Sequence, residues 1–218
     1  LFPYTTLFRS LNLALNGTIS CTGSGTMVFN GAGAQTIATN GASVPYSFTF
    51  NNIAGSWKLA SAVTGLNVTT CTAGVFDTDG FSYAAGNLVS NSTTGFTLYL
   101  RNSTVTLNGA GLNFSSGTTN FVFDAGTSTL INSNSGPSFR GNGFTFYNVI
   151  FSNTAIGTAV IAAPSNTFNN LTIAGRTTAG ISVIQFAANQ TINGTLTLSA
   201  GTNATMRTFL RSDTIGTT

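Results

Sequence analysis

The chain contains no histidine and no glutamate, and only 5% of its 218 residues are charged. An ordinary globular domain carries about 25% charged residues, so long helices built on Glu and Lys are excluded. The lack of histidine excludes Ser–His–Asp and Cys–His catalytic sites, and it leaves no Cys/His cluster for zinc. No run of 18 apolar residues is present, which excludes a transmembrane helix in this stretch. We therefore expect no metal and no cofactor.

Positive charge is in slight excess but is not clustered. The formal net charge is +3 and the isoelectric point is about 9.2. The interior basic residues stand at least 36 residues apart, at Lys58, Arg101, Arg140 and Arg176. A nucleic-acid-binding surface needs clustered Lys and Arg that neutralise neighbouring phosphates. The sequence therefore disfavours a nucleic-acid partner.

Small polar residues and aromatic residues are abundant instead. Thr, Gly, Asn and Ser supply 109 of the 218 residues, while hydrophobic residues supply 42% and include 18 Phe. A disordered chain is poor in aromatic residues, so this composition indicates a folded protein. In segments such as Phe96–Leu100 and Thr195–Leu198 every second residue is apolar and Thr fills the other positions. This period of two predicts strands that bury one face, separated by Gly-, Asn- and Ser-rich turns.

Short motifs recur along the chain. The pattern Thr-Phe-x-Asn-aliphatic occurs at residues 49–53, 145–149 and 167–171, and Asn-Gly-Ala-Gly occurs at 30–33 and 108–111. The separations of 96, 22 and 78 residues between copies fit multiples of a unit of 22–26 residues. Such repeats predict stacked units in which each repeat contacts its neighbours.

Each Thr-Phe-x-Asn-aliphatic motif breaks the alternation by one residue. Phe146 and Val149 are both expected to point inward, although three positions separate them. A single residue that shifts the inward–outward alternation by one position, with no loop inserted, forms a sharp corner or a β-bulge. Asparagine suits such a corner, because it tolerates left-handed backbone angles and forms local hydrogen bonds. We therefore predict structural corners at Asn52, Asn148 and Asn170 in an all-β parallel β-helix (a β-solenoid), right-handed, with coils of 22–26 residues.

Four segments carry a resemblance to known proteins: residues 74–81, 103–107, 124–130 and 139–148. They resemble the β-helical repeat regions of bacterial surface proteins of the adhesin and autotransporter type, and of phage virion and tail proteins. The likeness extends over about residues 11–205 and lies in the repeat pattern. It implies a non-catalytic stalk, adhesin or virion-fibre segment that is extracellular, on a cell surface or on a virion. The resemblance offers no active-site residues. As partners we expect cell-surface glycans or other copies of the chain.

A carbohydrate-processing or carbohydrate-binding β-helix is the alternative function. Glycoside hydrolysis uses two carboxylates about 5–9.5 Å apart, and Asp77 and Asp79 are the only closely spaced acidic pair. Residues i and i+2 of a strand share one face, which would let the pair act as acid and base or hold calcium. The competing interpretation is a tight turn, in which Asp accepts backbone N–H bonds ahead of Gly80. The sequence favours the turn, and with it a protein that is not an enzyme.

Ice binding is a further alternative. Thr-x-Thr pairs occur at residues 70/72, 104/106, 127/129 and 195/197, and they resemble the flat threonine faces of ice-binding solenoids. In a chain with 38 threonines, the simpler explanation is the preference of Thr for strands.

The two ends and the two cysteines carry weaker expectations. Residues 1–10 resemble a translated sequencing adapter, so we expect them to be an assembly artefact. Residues 11–218 are then a single β-solenoid fragment, truncated at both ends and with an open final coil around Arg207–Arg211. Cys21 and Cys71 either form a disulfide or are two separate buried residues.

Overall fold

The computed structural model describes residues 5–8, 13–14, 25–134, 136–152, 157–162 and 164–213 of the chain. The described residues form strands and turns, with no helix among them, so the all-β prediction is confirmed. The strands are β1 (Thr5–Phe8), β2 (Leu13–Ala14), β3 (Thr26–Phe29), β4 (Gly33–Ala38), β5 (Ser47–Leu59), β6 (Val63–Asp77), β7 (Tyr83–Tyr99), β8 (Thr104–Asn113), β9 (Phe121–Asp124), β10 (Thr129–Asn132), β11 (Ser138–Arg140), β12 (Thr145–Phe151), β13 (Gly157–Ile161), β14 (Thr167–Ile173), β15 (Gly180–Phe186), β16 (Thr191–Ile192), β17 (Leu196–Leu198) and β18 (Met206–Ser212).

The strands wind into a parallel solenoid. Every registered strand pairing in the described part of the chain is parallel. From Met27, the register leads in eight successive steps of 19 to 27 residues through positions 48, 69, 88, 112, 139, 161, 186 and 212. The lengths of these eight turns bracket the predicted coil length of 22–26 residues, and the parallel β-helix is confirmed. The first strand, β1, lies within residues 1–10 and is registered on β3.

The strands stack into three ladders. Ladder 1 contains β1, β3, β11, β13, β15, β18 and the segments of β5 to β8 registered on them. Ladder 2 contains β2, β4, the final segments of β5 to β7, β9, residues 145–146 and 167–168, and β16. Ladder 3 contains the initial segments of β6 to β8, β10, residues 148–151 and 170–173, and β17.

The core is a set of inward columns that run along the coil stack. Alternate residues are buried in strands such as β10, β12 and β14, as the period of two predicted. Aromatic rings fill the first coils: the Phe50 centroid lies 4.4 Å from that of Phe76 and 5.2 Å from that of Trp57. In ladder 3 two columns run in register, one through Val63, Tyr83, Val105, Leu130, Val149, Leu171 and Leu196, the other through Leu66, Ala85, Leu107, Asn132, Phe151, Ile173 and Leu198.

Cys71 lies in this core as a free cysteine with no solvent exposure. Burial raises the pKa of its thiol, which keeps the side chain protonated and unreactive. Cys71 therefore forms no disulfide in this structure. Cys21 lies outside the described residues, so its burial stays a prediction.

Corners between ladders require small residues where coils approach closely. Gly74 sits at the corner between ladders 1 and 2 with a φ of 105°. A Cβ atom there would lie 2.3 Å from the carbonyl oxygen of Asn52 in the preceding coil. Glycine is therefore required at this position both by its backbone angle and by the space available.

Candidate functional site

The two acidic residues singled out from the sequence form a tight turn after β6. The backbone N–H of Asp79 donates to Oδ1 of Asp77 at 2.8 Å, and φ is 51° at Asp79 and 84° at Gly80. From the following coil, Arg101 donates through Nε to Oδ1 of Asp77 at 3.2 Å and through Nη2 to Oδ2 at 2.8 Å. From the preceding coil, Nζ of Lys58 lies 2.9 Å from Oδ2 of Asp79. Each carboxylate thus has a basic partner on an adjacent coil.

The electrostatics of this turn favour the ionised form of Asp77. Partial burial raises the pKa of its carboxyl group, but hydrogen bonds from Arg101 and from the Asp79 backbone, together with the charges of Arg101 and Lys58, outweigh that effect. The pKa of Asp77 therefore lies below its ordinary value. A general acid needs a raised pKa, so this geometry is that of an ion pair that links coils.

The predicted corner residues Asn148 and Asn170 occupy equivalent positions on adjacent coils and their side chains form a ladder. Nδ2 of Asn148 donates to Oγ1 of Thr129 at 3.2 Å, and Nδ2 of Asn170 donates to Oδ1 of Asn148 at 2.8 Å. Oδ1 of Asn170 in turn accepts the backbone N–H of Thr195 at 2.9 Å. Four coils are therefore connected by one chain of hydrogen bonds, which runs through three side chains and ends at a backbone N–H, and which we call the amide ladder (Thr129, Asn148, Asn170, Thr195).

The burial pattern around these corners shows the one-residue break. Phe146 and Val149 are both buried around Asn148, and Phe168 and Leu171 are both buried around Asn170. The left-handed backbone that we expected of such corners lies elsewhere: among the described non-glycine residues, positive φ values occur at Asn40, Asp79, Arg101, Asn120 and Asn142. The corner asparagines contribute through their side-chain amides, not through an unusual backbone angle.

Asn52 behaves differently from the other two. Its Nδ2 donates to the carbonyl oxygen of Asn30 at 2.7 Å, and its Oδ1 accepts the backbone N–H two residues further on at 2.9 Å. Ile53 is 63% exposed, so the alternation does not resume one step after Asn52. The register shifts between residues 51 and 56, and the buried indole of Trp57 fills the interior so closely that a Cβ on Gly55 would lie 2.4 Å from it. At this corner the interior is therefore occupied by Trp57, and Ile53 lies on the surface.

The outer surface of ladder 3 brings two of the four Thr-x-Thr pairs together. Thr104 and Thr195 belong to one outward column, and Thr106 and Thr197 belong to the next. The rows between them hold Thr129 with Ile131, Asn148 with Ile150, and Asn170 with Thr172. A shallow groove of about 340 Å³ runs along the last four of these five rows, and none of the described residues that line it is charged.

A break in ladder 2 opens a second depression. β9 (Phe121–Asp124) pairs with β7, and residues 145–146 of β12 pair with β14. Within the described ranges, however, no registered pairing joins β9 to β12, which follows it in ladder 2. Ring contacts bridge the break, with the Phe123 centroid 5.6 Å from Phe144 and 5.0 Å from Phe146. The resulting cleft, which we call the β9–β12 cleft, measures about 400 Å³ and is also lined by Asp124, Thr145, Tyr147 and Asn169.

Sequence analysis did not identify this cleft as a candidate site. The available signal was the density of phenylalanine, which occurs at positions 121, 123, 144 and 146. The phenylalanine positions alone could not reveal the cleft, because the missing pairing between β9 and β12 depends on which coil each ring packs against.

No group of three or more metal-ligating side chains occurs within the described residues. In the same part of the chain, no helix is long and apolar enough to cross a membrane. No protein-family model matches the sequence, and no curated protein or solved structure matches the chain.

Proposed function

We propose that this structural repeat protein is a non-catalytic extracellular segment, structural or adhesive, of the kind found in surface stalks, adhesins and phage virion or tail fibres. The observation that carries the proposal is the continuous parallel register over eight turns, held by inward apolar columns and by side-chain hydrogen bonds between coils. Its acidic pair lies in coil-linking ion pairs, with Arg101 on Asp77 and Lys58 on Asp79. These features serve rigidity and not acid–base chemistry.

The mechanics of such a segment follow from the stacking. Parallel strands lie about 4.8 Å apart, so eight turns span roughly 40 Å along the stack. Each coil is bonded to the next by its backbone, and therefore bending must break many hydrogen bonds at once. Because charges are few, the rod depends little on salt. Those properties suit a spacer outside the cell, where ionic strength varies.

The proposal is tested by shape and by chemistry together. Small-angle X-ray scattering should give an elongated particle, and trypsin should leave the stack intact because few basic residues lie in exposed turns. Incubation with polysaccharides should release no reducing ends and no unsaturated uronates. Sugar release that disappears in both Asp77→Asn and Asp79→Asn variants would overturn the proposal in favour of a carbohydrate-processing β-helix.

Other copies of the chain are the first partner we propose. Leu196 and Leu198 end the two inward columns of ladder 3 and are 44% and 52% exposed, whereas Leu171 and Ile173 one coil earlier are buried. Exposed apolar side chains favour association. Light scattering across a concentration series should show association that a Leu196→Thr/Leu198→Thr variant reduces and a Val122→Thr control does not. A concentration-independent monomer would contradict this.

A second candidate function, ice binding, is favoured by one observation. The register places Thr104 with Thr106 and Thr195 with Thr197 in the same two outward columns of ladder 3. Thr129 and Thr172 add hydroxyl groups to the rows between these two pairs, and hydroxyl groups on rows about 4.8 Å apart can order water. Inhibition of ice recrystallisation, lost on Thr172→Lys, would support it, and unaltered recrystallisation would end it.

A further inference from the structure

The β9–β12 cleft offers an apolar floor with one exposed ring. Tyr147 is 38% exposed, while Phe123 and Phe144 are half-buried beside it. At about 400 Å³ the cleft lies within the range of small-molecule sites, roughly 300–1,000 Å³. Such sites combine aromatic walls with a few convergent polar groups. The apolar C–H face of a pyranose ring packs well on aromatic surfaces of this kind.

Polar groups converge on the same cleft. Oδ1 of Asp124 accepts the backbone N–H of Gly126 at 2.8 Å, which fixes the carboxylate. Its Oδ2, the Thr145 hydroxyl and the Asn169 side-chain amide form no hydrogen bond within the described part of the chain. These groups offer an acceptor, a hydroxyl that donates and accepts, and an amide that does both. Sugar hydroxyl groups are matched by this combination.

The charge of the cleft restricts the ligand further. Among the described residues that line it, Asp124 is the only charged one, and Arg101, whose charge also acts on Asp124, is paired with Asp77. A carboxylate inside a site repels a like charge, so sialylated, uronate-containing and sulfated glycans are disfavoured. We propose that the β9–β12 cleft binds one neutral pyranose unit of a glycan, stacked on Tyr147 and hydrogen-bonded by Asp124. This inference deepens the adhesive function proposed above and rests on it.

The test uses an array of immobilised oligosaccharides ending in glucose, galactose, mannose, N-acetylglucosamine or sialic acid, followed by calorimetric titration with the free form of any that bind. The full chain should bind neutral oligosaccharides and not sialylated ones. Tyr147→Ala should weaken binding at least tenfold, because the stacking surface is lost. Asp124→Asn should weaken binding several-fold and relax the discrimination against sialylated glycans, while its amide oxygen still accepts the Gly126 N–H.

Two control variants match these changes outside the cleft. Phe81→Ala removes an aromatic side chain that is 37% exposed in the turn after β6, and Asp79→Asn removes a carboxylate in that same turn. Neither should alter binding, and circular dichroism should show all four variants folded. Binding that is insensitive to both cleft variants overturns the cleft but leaves the adhesive function standing. Loss of binding in Asp79→Asn instead places the site at the Asp77–Gly80 turn and overturns the proposal.

The remaining outcomes also decide the question. An array without any bound glycan overturns the proposal, whereas the rod proposed above stands or falls on its scattering and proteolysis results. Self-association that disappears in Tyr147→Ala would show that the cleft receives a second copy of the chain, which also overturns the glycan proposal.

Discussion

Asn132 is the residue whose replacement should most improve this fold. It is fully buried, and neither its Oδ1 nor its Nδ2 has a hydrogen-bond partner within the described part of the protein. Its column neighbours are Leu107 in the preceding coil and Phe151 in the following one. A Cβ on Gly111 would lie 3.3 Å from Oδ1 of Asn132, so the glycine leaves space beside the amide. We predict that Asn132→Leu stabilises the protein.

The magnitude follows from three contributions. An unsatisfied buried polar group costs about 1–3 kcal/mol, and burying a leucine side chain contributes about 1.5–3 kcal/mol. Fitting the larger side chain costs about 1–3 kcal/mol in a packed core. The backbone bonds of Asn132, whose carbonyl oxygen accepts the Ser152 N–H at 2.9 Å, do not change. The free energy of unfolding should therefore rise by roughly 1–3 kcal/mol.

Asn166 supplies a matched control, because it is equally buried but fully engaged. Its Oδ1 accepts the Gly143 N–H at 3.1 Å and its Nδ2 donates to Gln190 at 3.0 Å. Asn166→Leu should lower the free energy of unfolding by about 2–4 kcal/mol, since the Gly143 N–H loses its acceptor and Gln190 keeps only the backbone N–H of residue 166 as a donor. Urea unfolding followed by circular dichroism, with Trp57 fluorescence as a second probe, measures both variants. Equal destabilisation of at least 1 kcal/mol in the two variants would refute the reasoning.

Three further predictions concern the ion pair, the amide ladder and a turn glycine. Because the pKa of Asp77 is lowered by folding, its charge stabilises the protein above the unfolded pKa of about 3.9 and this contribution is lost as pH falls through the lower folded value. Asp77→Asn should thus lower the free energy of unfolding by about 0.5–1 kcal/mol at pH 7 and leave it unchanged near pH 2. Urea titrations at both pH values measure this difference. In the same assay, Asn170→Ala should lower the free energy of unfolding by about 1–2 kcal/mol, whereas Asn169→Ala, outside the amide ladder, should lower it by less than about 0.5 kcal/mol. Equal effects of the two variants would contradict the amide ladder. Gly126→Ala should lower the thermal midpoint of unfolding far more than Gly33→Ala. Both glycines have a positive φ, but only a Cβ on residue 126 would lie 2.3 Å from a backbone carbonyl oxygen. Similar midpoints for the two variants would disprove the contact.

Much of the fold could be predicted because its determinants are local. The alternation in strands such as Thr167–Ile173 encodes which residues face inward, and the repeated Asn encodes where one ladder gives way to the next. The turn at Asp77–Gly80 was also predictable, since Asp before Gly favours that geometry wherever it occurs. The basic partners of that turn were not, because Lys58 and Arg101 lie about one coil away in either direction along the sequence.

The register between adjacent coils determined the features that could not be predicted from the sequence. Whether Ile53 points inward depends on the space left by Trp57, and whether β9 pairs with β12 depends on the rings packed between coils. The polar Asn132 likewise entered an apolar column only through the pairing of β10 with its neighbours. These outcomes follow from contacts between coils of slightly different length.

The sequence by itself determined the strands, the turns and the solenoid class, because each arises from interactions within a few residues or from a repeated period of two. Only the tertiary structure decided where charges meet, which asparagines join into a ladder and where the sheet opens into a cleft. The physical reason is that coil-to-coil register varies from 19 to 27 residues. A shift of one residue reverses which face of a strand each side chain occupies.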